Sequence, residues 1–240
     1  MRLQSVIRAI YPPQCVACDA QTEDDFGLCA ACWRETQFIG GLVCESCGTS
    51  LPGEDRDEVV QCDDCMTIAR PWDKGRAVLV YTGIGRRLVL GLKHGDRTDL
   101  ARPTARWMAQ KIEKWAETDT VLVPVPLHWL RTLRRRYNQS ALLAQEIGKV
   151  LDLPVCVDAL LRPKKTNALQ GHSRDARFAA LSDAIVPNPK RVDQIAGKTV
   201  ILVDDVMTSG ATFAACTEAA KAAGATTVSI VTLARVVKDT

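Results

Sequence analysis

"VILVDDVMTSGAT", residues 200–212, sets four apolar side chains directly against two adjacent aspartates, and a run of small residues rich in hydroxyls follows. An unbroken apolar run reads as a strand buried on both faces, since a strand with one wet face alternates apolar with polar residues. Neighbouring carboxylates repel each other, and nothing about folding asks for them at the end of a buried strand. The pair therefore marks a site, carried on the end of a core strand.

Working outward, "KTVILVDD" (198–205) gives that strand, "GATFAACTEAAKAAGA" (210–225) a helix closed by glycine, and "TTVSIVTLARV" (226–236) a further strand. Upstream, "GRAVLVYTG" (75–83) reads as a strand and "LARPTARWMAQKIEKWAE" (100–117) as an amphipathic helix. A second strand, "TVLVPVP" (120–126), precedes "NQSALLAQEIGKVL" (138–151), where Leu142, Leu143, Ile147 and Val150 recur with helical spacing. Strands alternating with helices predict an α/β fold, a parallel sheet flanked by helices. In such a sheet ligands lie beyond the carboxyl ends of the strands.

Asp204 and Asp205 stand at such an end, and a helix starting near Gly210 offers unpaired amides a few residues on. Thr208, Ser209, Gly210, Ala211 and Thr212 are small enough for the backbone to close around a phosphate, with the helix terminus adding partial positive charge. Ionised carboxylates only accept hydrogen bonds, which suits a pair of sugar hydroxyls. A phosphate cradle beside a diol clamp describes the two ends of a ribose 5-phosphate; the plainer alternative is that the acids merely cap the helix.

With 240 residues, 47% hydrophobic and 25% charged, the chain can bury a sizeable core and has room for one ordinary domain plus something small. The N-terminal "MRLQSVIRAIYPPQC" holds no apolar run long enough for a secretory core or a membrane span, so the expectation is a soluble, cytoplasmic protein. Charge is unevenly spread: residues 1–70 carry 5 Lys/Arg against 12 Asp/Glu, a balance of −7, and residues 71–240 carry +10. The expected division is an acidic module at 1–70 and a basic domain at 71–240 that favours anionic partners such as phosphates, nucleotides or nucleic acid. Residues 162–180, "RPKKTNALQGHSRDARFAA", are polar, basic and without apolar periodicity, and are expected to form a mobile functional loop.

Eight of ten cysteines form four CxxC pairs, at Cys15/Cys18, Cys29/Cys32, Cys44/Cys47 and Cys62/Cys65. In a reducing compartment metal explains them better than disulfides. Four thiolates make a closed, structural zinc site, so two such ions are expected. The gaps of ten and fourteen residues suit two ribbons in sequence order, while a crossed arrangement, first pair with third, satisfies the same spacing. Redox chemistry needs one CxxC at a helix start after a strand, and four repeats argue against it. Large apolar residues are scarce before Arg70, so metal has to supply much of this module's stability. Cys156 and Cys216 sit among apolar neighbours and read as small buried hydrophobes, and His94, His128 and His172 show no spacing of a metal set.

The stretch 200–212 resembles the signature of type I phosphoribosyltransferases, whose ligand is phosphoribosyl pyrophosphate (PRPP). The whole chain resembles the ComF family of competence-associated proteins with its GntX-like members. That likeness is carried by the four CxxC pairs, then "LKHGD", "VPVPLHWLRTLRRRYNQSALLA", a basic loop with "TNALQGHSRDAR", and finally "VILVDDVMTSGAT".

The resemblance implies a double zinc ribbon fused to a type I phosphoribosyltransferase domain. By it, Asp204 and Asp205 match the ribose-binding acids and Thr208, Ser209, Gly210, Ala211 and Thr212 the 5-phosphate loop. Val125 and Pro126, within Pro124–Leu127, are expected to contribute backbone groups to the pyrophosphate, helped by Arg134, Arg136, Asn138 and Gln139. Arg162, Lys164, Lys165 and Arg174 fall where the fold carries its flexible catalytic loop. The implied reaction joins a nitrogen acceptor of unknown identity to the sugar of PRPP, with Mg²⁺ chelated by pyrophosphate and ribose oxygens. A PRPP-binding sensor or scaffold without turnover, or an accessory of DNA uptake that contacts single-stranded DNA or competence-machinery proteins, fits the same resemblance. One departure stands out: 6-oxopurine phosphoribosyltransferases have an aspartate where this chain has Thr208, and a threonine cannot act as a carboxylate base.

Overall fold

A computed structural model describes residues 12–23, 25, 27–54, 58–128, 136–163 and 184–237. Two short helices, α1 (Ala30–Glu35) and α2 (Asp63–Thr67), each follow a cysteine of the ribbons, Cys29 and Cys62. Then come β1 (Gly75–Val80), α3 (Gly83–His94), α4 (Ala101–Ile112), β2 (Thr120–Pro124) and α5 (Gln139–Leu151). A small antiparallel pair, β3 (Leu160–Leu161) and β4 (Val186–Pro187), and a one-turn α6 (Val192–Ile195) lead to β5 (Thr199–Met207), α7 (Ala211–Ala222) and β6 (Thr227–Arg235).

The main sheet is parallel throughout, in the order β1-β6-β5-β2. Its faces follow the two-residue alternation of a strand. Ile201 and Val203 of β5 join Val231 and Leu233 of β6 against Leu88, Met108, Ile112, Leu143 and Ile147 from α3, α4 and α5. Val200, Leu202, Val228 and Ile230 face the other way, against Phe213, Cys216 and Ala220 of α7. Cys156 and Cys216 are buried among these side chains, as their apolar neighbours in the sequence suggested.

Three details differ from the sequence expectation. The acids do not end their strand. The ladder from β5 to β2 stops at Val203, opposite Pro124, but the ladder to β6 runs on through Asp204 and Val206 to Met207. The acids therefore lie past a strand end on the β2 side only. In α5 the buried stripe is turned from the one expected: Leu143, Ala144, Ile147 and Gly148 face the sheet, while Val150 is 49% exposed. Gly148 causes the turn, because a Cβ there would lie 2.6 Å from Val155 Cγ2 and 2.8 Å from the Leu153 carbonyl, so the helix presses its glycine side onto the chain below. The third difference is α3, which the sequence pattern did not show. Gly83, Gly85 and Gly91 lower its intrinsic propensity, and packing of Ile84, Leu88, Val89 and Leu92 overrides them.

No helix among the described residues is long and apolar enough to cross a membrane. Of the expected mobile loop at 162–180, everything from Lys164 onward lies outside the described residues.

Candidate functional site

Two acids can sit side by side here because each has its own partner. Asp204 Oδ1 accepts from Ser140 Oγ at 2.7 Å and from the Asp205 amide at 2.9 Å. Asp205 Oδ1 lies 3.0 Å from Lys93 Nζ, with the Asp205 side chain 2% and the Lys93 side chain 18% exposed. One acid is thus held by a hydroxyl at the start of α5 and the other by an ammonium in the last turn of α3. Asp205 Oδ2 remains buried and has no hydrogen-bond partner among the described residues. Burial, and after it the charge of Asp205, pushes the Asp204 carboxyl up to about 7, against the opposing pull of Lys93 and Ser140.

That shift has a sign. Between about pH 4 and about pH 7 the folded carboxyl keeps a proton that the unfolded chain has released, so stability from this group falls as pH rises through that window and stays low above it. Asp204→Asn should therefore raise the melting temperature by roughly 4–10 °C at pH 8 and leave it nearly unchanged at pH 4. Asparagine keeps an oxygen for Ser140 Oγ and the Asp205 amide, so the comparison isolates charge. Equal shifts at both pH values in thermal melts would contradict the burial argument.

Beyond β5 the chain turns through Thr208, Ser209 and Gly210 into α7. Guanidinium groups grip the carbonyls of this turn. Arg235 Nη1 donates to Thr208 O at 2.5 Å and Met207 O at 3.3 Å, and Arg70 Nη1 donates to Ser209 O at 2.8 Å. Gly210 is left-handed (φ 85°), and a Cβ on it would lie 2.9 Å from both Met207 Cε and Trp72 Cη2. Among the described residues the N–H groups of Thr208, Ser209 and Gly210 donate to no backbone acceptor. With its carbonyls held by two cations and its amides uncommitted, at the start of a 12-residue helix, the turn has the composition of an anion nest.

The remaining sequence candidates divide. Val125 is engaged internally: its N–H donates to Val203 O at 2.9 Å and its carbonyl accepts from Asn138 Nδ2 at 3.0 Å. Pro126 has no N–H, so of the backbone groups expected from Pro124–Leu127 it can offer only its carbonyl. Asn138 caps α5, its Oδ1 accepting from the Ser140 amide at 3.0 Å, and Gln139 is buried beside it. Asn138 thereby positions Ser140 at the start of the helix. Arg136 is exposed in the left-handed region (φ 66°). Arg162 is half-buried just after β3, whereas Arg134, Lys164, Lys165 and Arg174 lie outside the described residues.

Lys93, Ser140, Arg70 and Arg235 were not singled out from the sequence. Lys93 stands inside "LKHGD", and Arg235 is a lone arginine in an apolar strand, a signal that could have found it.

The cysteines gather in sequence order, not crossed. In each set, Cys15, Cys18, Cys29, Cys32 and Cys44, Cys47, Cys62, Cys65, the four Sγ atoms lie within 4.8 Å of one another. Cys18 and Cys29, like Cys47 and Cys62, are 3.7 Å apart. A tetrahedron with zinc–sulfur bonds of about 2.3 Å has edges of roughly 3.8 Å, so both sets fit Zn²⁺ as closed structural centres. Hydrogen bonds from the Cys47 and Cys65 thiols, with burial opposing, hold the Cys44 thiol well below the usual thiol range.

A parallel sheet with twin acids just past the end of its β5–β2 ladder and a small-residue turn leading into the next helix is the arrangement of a type I phosphoribosyltransferase fold, here joined to two four-cysteine ribbons. Comparison with known proteins agrees. The family described as "Double zinc ribbon domain" matches residues 6–66, and "Phosphoribosyl transferase domain" matches residues 98–240. "Competence protein F" of Haemophilus influenzae is 28% identical over 191 residues, covering 78% of this chain and 80% of its own. "DNA utilization protein YhgH" of Salmonella typhimurium is 30% identical over 216 residues, covering 88% and 91%. The solved purine phosphoribosyltransferase of Pyrococcus horikoshii Ot3 aligns with 57% of this chain and 73% of its own at 16% identity and a TM-score of 0.35. The chain belongs to the phosphoribosyltransferase domain family, in the ComF group that couples this domain to a double zinc ribbon.

Proposed function

We propose that this protein binds PRPP at Asp204–Thr212 and transfers its phosphoribosyl group to a nitrogen acceptor, releasing pyrophosphate. The observation that carries the reading is the adjacency of the acids, steadied by Lys93 and Ser140, to a turn whose carbonyls are gripped by Arg70 and Arg235. The acids accept from the ribose diol, and the amides of Thr208–Thr212 take the 5-phosphate. Mg²⁺ arriving with PRPP supplies positive charge to the pyrophosphate; two hard carboxylates, one with a buried unpartnered oxygen, suit it, since that ion is commonly held by one or two carboxylates and substrate phosphates. In the reaction the bond from the anomeric carbon to pyrophosphate breaks as the bond to nitrogen forms. Arg162, Lys164, Lys165 and Arg174 are the basic residues assigned to the departing pyrophosphate.

Residues 1–70 serve in this reading as the ribbon unit and 71–240 as the transferase unit, in a cytoplasm that keeps thiols reduced for zinc. Thr208, standing where 6-oxopurine enzymes carry an acid, speaks against a 6-oxopurine acceptor, and a PRPP-responsive regulator without turnover is the second reading, since the same fold and acids serve binding alone. The names of the relatives add DNA to the picture. A groove along α3 lined by Arg86, Arg87 and His94 offers a single strand a basic surface.

One assay tests the whole: the protein with PRPP and Mg²⁺, across a panel of bases, amines and single-stranded oligonucleotides, followed by pyrophosphate release, with calorimetry in parallel. Acceptor-dependent release is the expected result. Binding without release for every acceptor would leave the regulator, and absence of binding would remove both readings.

A further inference from the structure

We infer that the second four-cysteine cluster is part of the anion site, with Arg70 as a positioning residue that couples metal at Cys44, Cys47, Cys62 and Cys65 to ligand at Thr208–Thr212. The ligand half of this inference rests on the function proposed above. Arg70 spans the two: its Nε donates to Cys65 Sγ at 3.4 Å and its Nη1 to Ser209 O at 2.8 Å, a carbonyl 139 residues further along the chain. A guanidinium is a rigid planar fork, so fixing one donor fixes the direction of the others. A zinc-bound thiolate is a charged acceptor, and a charge-assisted hydrogen bond is roughly twice as strong as a neutral one. Loss of metal frees Cys65 from its fixed place, and with it the fork that grips Ser209.

A second path runs beside the first. Trp72 Nε1 donates to the carbonyl of Ser46, which lies between Cys44 and Cys47. The Trp72 ring takes the Arg70 guanidinium at 5.4 Å and meets Phe213 of α7 at 6.2 Å, edge to face. Gly210 closes against both, its Cβ position 2.9 Å from Trp72 Cη2 and 3.0 Å from Arg70 Nη1. Cys44, Cys47, Cys65 and Trp72 share one apolar core with Met207, Ala211 and Phe213. The first cluster is placed otherwise: Cys15 and Cys32 join the core of α3 and α4, and Arg87 Nη1 on α3 donates to Ala17 O at 3.1 Å. Among the described residues the direct hydrogen-bonded link from a cysteine cluster to the turn at 208–210 comes from the second site.

Coupling between sites is reciprocal: if metal favours ligand, ligand favours metal by the same factor. Zinc-loaded full-length protein is challenged with a colorimetric chelator, with and without saturating PRPP and Mg²⁺, and zinc release is followed in time. Two phases are expected, of which PRPP slows one by about 5- to 50-fold and leaves the other alone. In Arg70→Gln, PRPP binds about 10-fold more weakly and slows neither phase even at saturation. Arg70→Lys keeps the charge but not the fork, and loses the slowing likewise, which covers the case in which Arg70→Gln does not fold. PRPP that binds the wild-type chain and changes neither phase, or slowing that survives in either variant, overturns the inference. Should the wild-type chain not bind PRPP, the proposed function fails by itself. The link from Arg70 to the turn is then read without ligand, by hydrogen exchange: amides of residues 207–212 that exchange at equal rates in wild type and Arg70→Lys refute it, and faster exchange in the variant supports it.

Discussion

Asparagine in place of both Asp204 and Asp205 is expected to lower PRPP affinity by at least ~100-fold while the chain still folds. A hydrogen bond to a charged group contributes about 1.5–3 kcal/mol, so two lost carboxylates amount to roughly 10²–10⁴ in affinity. An amide oxygen still accepts, but its NH₂ group faces the sugar hydroxyls with donors where acceptors are needed. The two single variants separate the roles. Asp204→Asn leaves the pair Asp205–Lys93 intact, whereas Asp205→Asn leaves the Lys93 ammonium, 18% exposed, without its carboxylate and should be the less stable chain. Because the free Asp204 carboxyl titrates at about 7 and the diol needs it ionised, affinity should rise with pH through 7 and level off above. Calorimetric titration with PRPP and Mg²⁺ at pH 6, 7 and 8 checks both statements. Affinity unchanged in the double variant would end the ribose-clamp reading.

Metal removal should have the second large effect. Analysis of the purified chain should find two zinc ions, and stripping them in the presence of a reductant should unfold the ribbons and destabilise the sheet. Apparent binding to a structural zinc site is on the order of 10–16 kcal/mol, as large as the whole stability of an ordinary domain. The second site should matter more to the rest of the molecule, since its Cys44, Cys47 and Cys65 are buried in the core that also holds Phe213 and Ile230. Cys47→Ala, at a fully buried position, should cost folding outright; Cys18→Ala, at an exposed one, should first lower zinc content to one ion and leave the sheet's circular dichroism in place. Zinc content of one or none in the wild-type chain would contradict the paired ribbons.

The sequence revealed much of this site because its chemistry is concentrated. The acids and the small-residue turn are contiguous, and their neighbour strands are apolar runs whose meaning does not depend on context. What the sequence hid is what arrives from afar. Lys93 lies on α3, a helix that three glycines disguise, and it meets Asp205 only after the sheet has formed. Arg70 carries no local signal and Arg235 shows only as a lone arginine in an apolar strand; what each holds is plain once Ser209 and Thr208 are brought to it. Val125 shows the same limit from the other side: standing next to a candidate site in sequence does not free a backbone amide that a neighbouring strand already holds. Strand order was likewise illegible, since nothing local says that β6 inserts between β1 and β5.

That insertion bears on how the chain is made. β1 finishes at Val80, yet its neighbour β6 begins at Thr227, so about 150 residues are synthesised between them. At ribosomal speeds of about 5–20 residues per second, β1 waits roughly 7–30 s for its partner. Throughout that interval the edge of β1 that β6 will occupy is open to other chains, while Phe38 already bridges Leu79 and Trp72 already donates to Ser46. Birth on the ribosome thus leaves one strand edge of this chain open to aggregation in a way its finished form does not.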